Sequence, residues 1–162
     1  MLKNKISVTV LLLVMSAAYA IAQTSGTSGE LNVVKPVTVN KDLVIPVSEI
    51  TSNAVFYPVD IDGTRLEVIA VRAPDGTIRT AFNTCQVCYS SGRGYYKQKD
   101  NLLICQNCKN RFRMSQVERQ AGGCNPVPIY AENKTVTATT ITISKEFLKQ
   151  ASSFFAKWSR RD

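Results

Sequence analysis

Two C-x-x-C pairs constrain this chain more than any other feature: Cys85-Gln86-Val87-Cys88 and Cys105-Gln106-Asn107-Cys108, with 16 residues between them. Two thiolates three residues apart on a tight turn can grip one metal while nearby backbone N–H groups point at sulfur. Two such turns brought to one end of a sheet supply a tetrahedral set, or hold both irons of a small cluster. The doubled motif has the spacing of a metal site. It points strongly to metal and only weakly to which metal. Disulfides are the competing reading for an exported chain. Closing each C-x-x-C on itself would strain the turn and staple almost nothing.

The chain of 162 residues contains no histidine. That removes Ser-His-Asp and Cys-His catalysis, the H-E-x-x-H zinc site, c-type haem attachment and an iron–sulfur centre with two His ligands. A fifth cysteine, Cys124, lies in Gly122-Gly123-Cys124-Asn125-Pro126. An odd count forbids complete internal pairing. Cys124 is expected near the metal, as an alternative ligand or a neighbour of the ligands, with the two glycines allowing close backbone approach. Arg111 and Arg113 join it as candidate neighbours. Arg93, Lys97, Lys99, Lys109 and Arg119 also flank the pairs, and some of these cations could donate to sulfur and offset the charge of about −2 left by four thiolates. Taken singly, each reads more simply as a solvated charge. Met114 is the one methionine near the loops, which gives a Cys/Met copper site thin support.

Lys3 and Lys5 precede an apolar run over residues 6–22 that ends in Ala18-Tyr19-Ala20-Ile21-Ala22. This is the layout of a secretory signal peptide, or of an N-terminal anchor if it is not cut. Residues 23–30 (QTSGTSGE) read as a flexible linker, and residues 31–162 as a single β-rich domain. The formal charge of +8 falls to +6 without residues 1–22. That favours anionic partners or surfaces in general, and export speaks against nucleic acid.

Short β signals dominate from Leu31. Residues 32–38 and 43–47 are interrupted by Pro36 and Pro46, as edge strands are. Residues 55–61 lead to an Asp62-Gly63 turn, and residues 66–71 read as a strand buried on both faces. Asp75-Gly76 is a hairpin turn into residues 77–82. Asp60 and Asp62 read as turn formers, not as a catalytic carboxylate pair. A second hairpin pairs residues 94–98 with 102–105 around Asp100-Asn101. Each cysteine pair thus follows a strand. Ser115 and Glu118 have capping-box spacing for a single helical turn, and residues 135–144 form the clearest strand. Phe147, Leu148, Ala151, Phe154, Phe155 and Trp158 then fall on one face of an amphipathic helix expected over 145–159, with Ser144 as N-cap. Its aromatics are expected on the β core, with membrane or partner docking as the alternative.

The run Ala81-Phe82-Asn83-Thr84-Cys85-Gln86-Val87-Cys88-Tyr89, with Gly92-Arg93-Gly94-Tyr95, Cys105-Gln106-Asn107-Cys108, Arg111-Phe112 and Gly122-Gly123-Cys124-Asn125-Pro126, resembles the membrane iron–sulfur FtrD-like domain family over about residues 54–158. The resemblance implies association with bacterial membranes, iron uptake in some members, and an electron carrier. A more distant likeness of shape is to Rieske-like domains: a hairpin, a ligand pair, a second hairpin, a second pair, then Phe112. There each pair contains a histidine; here Cys88 and Cys108 stand in those places. The expected fold is therefore mainly β, a Rieske-like small β-sandwich with both C-x-x-C loops at one end and a C-terminal amphipathic helix.

The leading expectation is an exported domain, periplasmic or on the outer face of the cytoplasmic membrane. It would hold an iron–sulfur cluster, of [2Fe–2S] type, on Cys85, Cys88, Cys105 and Cys108, for electron transfer to a redox or membrane partner or for metal handling. The alternatives are a binding module with structural zinc on the same thiolates and, third, a C-x-x-C thiol–disulfide oxidoreductase. No thioredoxin-like βαβ pattern surrounds either pair, which weakens the third.

Overall fold

The computed structural model describes residues 33–160; the expected signal segment and linker lie outside them. In chain order the strands begin with β1 (Val33–Val34), β2 (Thr38–Val39), β3 (Leu43–Pro46), β4 (Val55–Ile61), β5 (Thr64–Arg72) and β6 (Ile78–Cys85). They continue with β7 (Tyr96–Lys99), β8 (Leu102–Cys105), β9 (Arg111–Arg113), β10 (Pro126–Pro128), β11 (Thr135–Val136) and β12 (Thr140–Ile143). One α-helix follows, α1 (Lys145–Gln150), continued as a 3₁₀ segment over Ala151–Phe155.

The largest sheet has the order β1-β4-β5-β6-β10, with β2 also on β4. Two tight reversals build it. Asp62 and Gly63 both adopt left-handed φ, +50° and +81°, the requirement of a two-residue hairpin turn that matches strand twist. Asp60 accepts the Gly63 N–H at 2.9 Å, so the turn-forming reading of these aspartates holds. At the second reversal Asp75 accepts both the N–H (3.1 Å) and the hydroxyl (2.6 Å) of Thr77. Pro36 falls between β1 and β2, which divides that edge into two short parallel pieces.

Both faces of this sheet are covered. Val55, Tyr57, Val59, Leu66, Val68 and Phe82 point to one side, where β3, β12 and the C-terminal helix pack and β11 forms the exposed edge beyond β12. Phe56, Ile69, Val71, Ala81 and Cys85 point to the other, against the sheet β7-β8-β9 and the cysteine turns. The domain is mainly β, as expected, with three layers rather than two. Double coverage explains the unbroken burial of β5 from Leu66 to Val71.

Three local expectations change. The run 135–144 is a hairpin, not one strand: β11 and β12 pair antiparallel. The Thr137 hydroxyl accepts the N–H groups of Thr139 (3.2 Å) and Thr140 (2.9 Å), which reverses the chain. A threonine-rich run has the same β propensity with or without that turn. Ser115 and Glu118 form no capping box. The helical turn is a 3₁₀ segment over Met114–Gln116, and Glu118, at φ +65°, turns its carboxylate to the Thr80 N–H at 2.8 Å and to Lys134. The C-terminal helix is shorter than 145–159. Ser144 caps it by accepting the Phe147 N–H at 3.2 Å, but helical structure ends at Phe155 because the next residues are held elsewhere. The Ser159 N–H donates to the Gly92 carbonyl at 2.9 Å, and the Trp158 indole to the Asn83 carbonyl at 2.8 Å. The apolar face still packs on the β core as expected. Phe155 lies 5.9 Å from Phe82 and 5.6 Å from Trp158, ring to ring; burying each such side chain contributes about 1.5–3 kcal/mol. Among the described residues no helix is long and apolar enough to cross a membrane.

Candidate metal centre

Side-chain alternation along β6 places Ala81, Asn83 and Cys85 on the face toward the small sheet. Asn83 joins the two layers. Its side-chain oxygen Oδ1 accepts the Tyr96 N–H at 2.7 Å, and its side-chain Nδ2 donates to the Tyr96 carbonyl at 3.2 Å. Tyr96 opens β7 and pairs with Cys105 at the end of β8. The two strand ends carrying Cys85 and Cys105 are thereby brought together. The Cys85 N–H donates to the Gly94 carbonyl at 2.7 Å, and the Gln106 N–H to the Tyr95 carbonyl at 2.8 Å.

Beyond each strand the chain curls around its own sulfur. The N–H groups of Val87 and Cys88 point at Cys85, and those of Asn107 and Cys108 at Cys105. The second turn is closed by the Lys109 N–H on the Cys105 carbonyl at 3.0 Å, with Lys109 at φ +62°. The first turn depends on Gly94. A Cβ there would stand 2.8 Å from the carbonyl carbon and oxygen of Cys88.

A third loop completes the set. The Gln86 N–H donates to the Asn125 carbonyl at 3.0 Å, and Pro126 lies beside Cys85 in the β6–β10 register. The Cys124 carbonyl accepts from the Tyr96 hydroxyl at 2.7 Å and from the Asn110 amide at 3.1 Å. Gly122 and Gly123 adopt φ of +82° and +72°, and a Cβ on either would meet open space. They serve the left-handed turn, not the close approach expected of them. The close approaches are made by Gly94 and by Gly92, whose missing Cβ makes room for the Lys157 carbonyl.

Five free thiols result. The sulfurs of Cys85, Cys88 and Cys105 lie within 4.8 Å of one another, and so do those of Cys88, Cys108 and Cys124. Cys88 belongs to both sets, so the five sulfurs form one connected group. Cys85 and Cys105 are fully buried, Cys88 is buried, Cys124 half-buried and Cys108 exposed. The Cys105 thiol donating to it holds Cys85 down to about 4 against the effect of burial, helped by the Tyr96 hydroxyl and the N–H groups of Cys88 and Val87. The same hydrogen bond and burial push Cys105 up. Burial keeps the Tyr96 phenol raised, followed by its contact with Cys85, so it remains a donor. On the outer side, burial opposes ionisation of Cys108, but the Asn110 N–H and the neighbouring thiols, Cys124 among them, hold it below the usual range. Donation to Cys108, then burial, pushes Cys124 up to about 12. Each half thus has one sulfur that favours the thiolate and one that donates to it.

Neither set includes a carboxylate. Soft sulfur donors whose lone pairs already receive backbone N–H groups fit zinc or an iron–sulfur cluster and not a hard cation. Arg111 and Arg113 flank buried Phe112 on the exposed side of β9. Arg111 lines a groove with Lys99 and Lys109. Arg113 lines a separate cleft of about 670 Å³ with Arg72 and Asn101. Lys109 donates to the Gln106 carbonyl at 3.0 Å, and Arg119 pairs with Asp75 at 2.7 Å. Met114 is buried in the core beneath the centre. Sequence reasoning gave no structural role to Asn83 or Tyr96, although Asn83 stands in the run that carries the family resemblance; Trp158 was expected on the apolar face of the C-terminal helix, but not as a donor to the Asn83 carbonyl.

The family described as "Membrane iron-sulfur containing protein FtrD-like" matches residues 50–155. No curated protein matches the chain. A solved structure similar to it is the quaternary ammonium Rieske monooxygenase CntA in complex with an inhibitor: TM-score 0.41, 12% identity, over 67% of this chain and 32% of that one.

Proposed function

The chain belongs to the FtrD-like family of membrane iron–sulfur containing proteins, and from that premise we propose that it is a one-electron carrier whose cluster is of [2Fe–2S] type. Cys85, Cys88, Cys105 and Cys108 would be the ligands. The convergence of both C-x-x-C pairs carries this reading, because Cys85, Cys88 and Cys105 lie within 4.8 Å of one another with Cys108 in contact with Cys88, in a chain whose family is described as iron–sulfur containing. When bound, the cluster supplies reversible uptake of one electron without bond rearrangement.

The chain's own groups would do the rest. N–H groups of Val87, Cys88, Asn107 and Cys108 offset thiolate charge. Tyr96 and Asn83 hold the two turns in register. Burial of Cys85 and Cys105 keeps water from the inner side, while exposed Cys108 gives a short path to a partner. Held by four thiolates in place of two thiolates and two imidazoles, such a cluster would be expected near the roughly −400 mV of plant-type ferredoxins and below the roughly −150 to +300 mV of Rieske centres. We place the domain on the outer face of the membrane, held there by residues 1–22 as anchor or released after cleavage, and passing electrons to a membrane or exported redox partner in iron uptake.

The test is anaerobic purification after export, with elemental analysis, a visible spectrum and EPR of the reduced protein. About two irons and two sulfides per chain, with charge-transfer bands, are expected. One colourless zinc per chain would overturn the carrier and make the centre a structural staple.

A further inference from the structure

We propose that Cys124 is an exchangeable ligand that takes the place of Cys108 on the outer side of the centre. The inference rests on the reading that these thiols hold a metal, and goes beyond it in assigning the fifth one. The sulfurs of Cys88, Cys108 and Cys124 lie within 4.8 Å of one another, so either of the last two can complete a metal held by Cys88. The inner side has no such spare.

The backbone is arranged for the exchange. Cys124 lies on neither C-x-x-C turn. Its loop is tied to the first turn through Gln86 and Asn125. It is also tied to the second, because the Cys124 carbonyl accepts from Asn110, two residues beyond Cys108. Those ties hold the Cys124 sulfur against the very turn whose ligand it would replace. Cys108 is exposed and Cys124 half-buried, so the exchange would take place on the side of the centre that is open to solvent. The exchange is redox-neutral. One metal–sulfur bond breaks at Cys108 and one forms at Cys124; Cys124 gives up its thiol proton and Cys108 takes one.

The experiment uses the full chain, purified anaerobically, as Cys108→Ser, Cys124→Ser, the double variant, and Cys105→Ser as the ligand-loss reference. The two outer single variants are expected to keep wild-type metal stoichiometry and thiolate charge-transfer intensity. The double variant should lose metal by about tenfold or more, as Cys105→Ser does. If Cys108→Ser is as depleted as Cys105→Ser, if Cys124→Ser is, or if the double variant retains as much as Cys108→Ser, the exchange is refuted. Alkylation read by mass spectrometry checks the ligation without the double variant. In Cys108→Ser, which lacks the Cys108 contact that raises the Cys124 thiol, Cys124 should be protected from iodoacetamide while metal is bound and labelled once a chelator has stripped it. Labelling of Cys124 in both states would also refute the proposal. A wild type carrying zinc would overturn the cluster reading alone, since the same comparison of zinc content still decides the role of Cys124.

Discussion

Gly94 is the residue through which the fold sets the spacing of the first cysteine pair, and Gly94→Ala measures how strictly. Its carbonyl accepts the Cys85 N–H at 2.7 Å, and its Cα faces the Cys88 carbonyl. A Cβ would stand 2.8 Å from that carbonyl's carbon and oxygen and 3.0 Å from the Tyr89 nitrogen, where ordinary contact begins at 3.4 Å. The backbone of Cys88 must therefore retreat by about 0.6 Å. Metal–sulfur distances tolerate about 0.2 Å, so the displacement is roughly three times what the centre can absorb. The overpacking should cost about 1–3 kcal/mol and lower Tm by roughly 2–12 °C. Metal affinity should fall about tenfold, the size of effect seen when groups supporting a ligand are disturbed. Gly76→Ala is the control. Its Cβ meets nothing within 4 Å, but its φ is +80°, so it should cost about 1–2 kcal/mol of stability and leave metal binding unchanged. Chelator competition and thermal melts on both variants separate the two effects. If Gly94→Ala releases metal no more readily than Gly76→Ala, the glycine does not set the spacing and the steric argument is wrong.

Two further outcomes follow from the geometry. Lys134, whose side chain is 4% exposed, donates to Thr80 (2.9 Å) and to the Ile129 carbonyl (3.1 Å) and pairs with Glu118. Lys134→Met should cost about 3 kcal/mol in urea unfolding, and adding Glu118→Leu should recover part of it; metal content should not change. In metal-free protein Cys108 should react with iodoacetamide before Cys105. Cys108 is exposed, and despite burial the Asn110 N–H and neighbouring thiols lower it. As pH falls, its labelling should therefore persist below the usual thiol range near about 8.5, and equal rates for Cys108 and a free thiol standard across that range would refute the assignment.

The parts of the fold that could be read along the chain are those where one physical constraint acts at a time. The strand at Val55–Ile61 and its Asp62-Gly63 turn occur where alternation and turn chemistry put them. The two cysteine pairs sit at strand ends because a C-x-x-C turn needs a fixed platform on each side. Misreadings arose where two constraints shared one residue type. Threonines at 137 and 140 propagate a strand by their branching and reverse it by their hydroxyls, and here the hydroxyls win. Glu118 suits a helix cap but is claimed by Thr80 and Lys134, some 38 and 16 positions away in the chain. Gly122 and Gly123 looked like room for a neighbour and are backbone torsion, while Gly92 and Gly94 are the room. A close approach depends on what arrives from elsewhere, and no local pattern records it.

The segment over residues 154–160 walls in the first cysteine turn from outside the cysteine loops. Phe154 stacks edge-on against Tyr89, Trp158 against Tyr95, and Arg160 sits 4.9 Å over the Phe56 ring beside Glu67. Phe154, Trp158 and Arg160 all follow Cys124 in the sequence. A chain cut before Phe154 would therefore keep all five thiols and lose the aromatic backing of Tyr89 and Tyr95, the residues on either side of the Gly92–Gly94 approach. The C-terminal segment is in this sense part of the thiol site, although it contributes no sulfur to it.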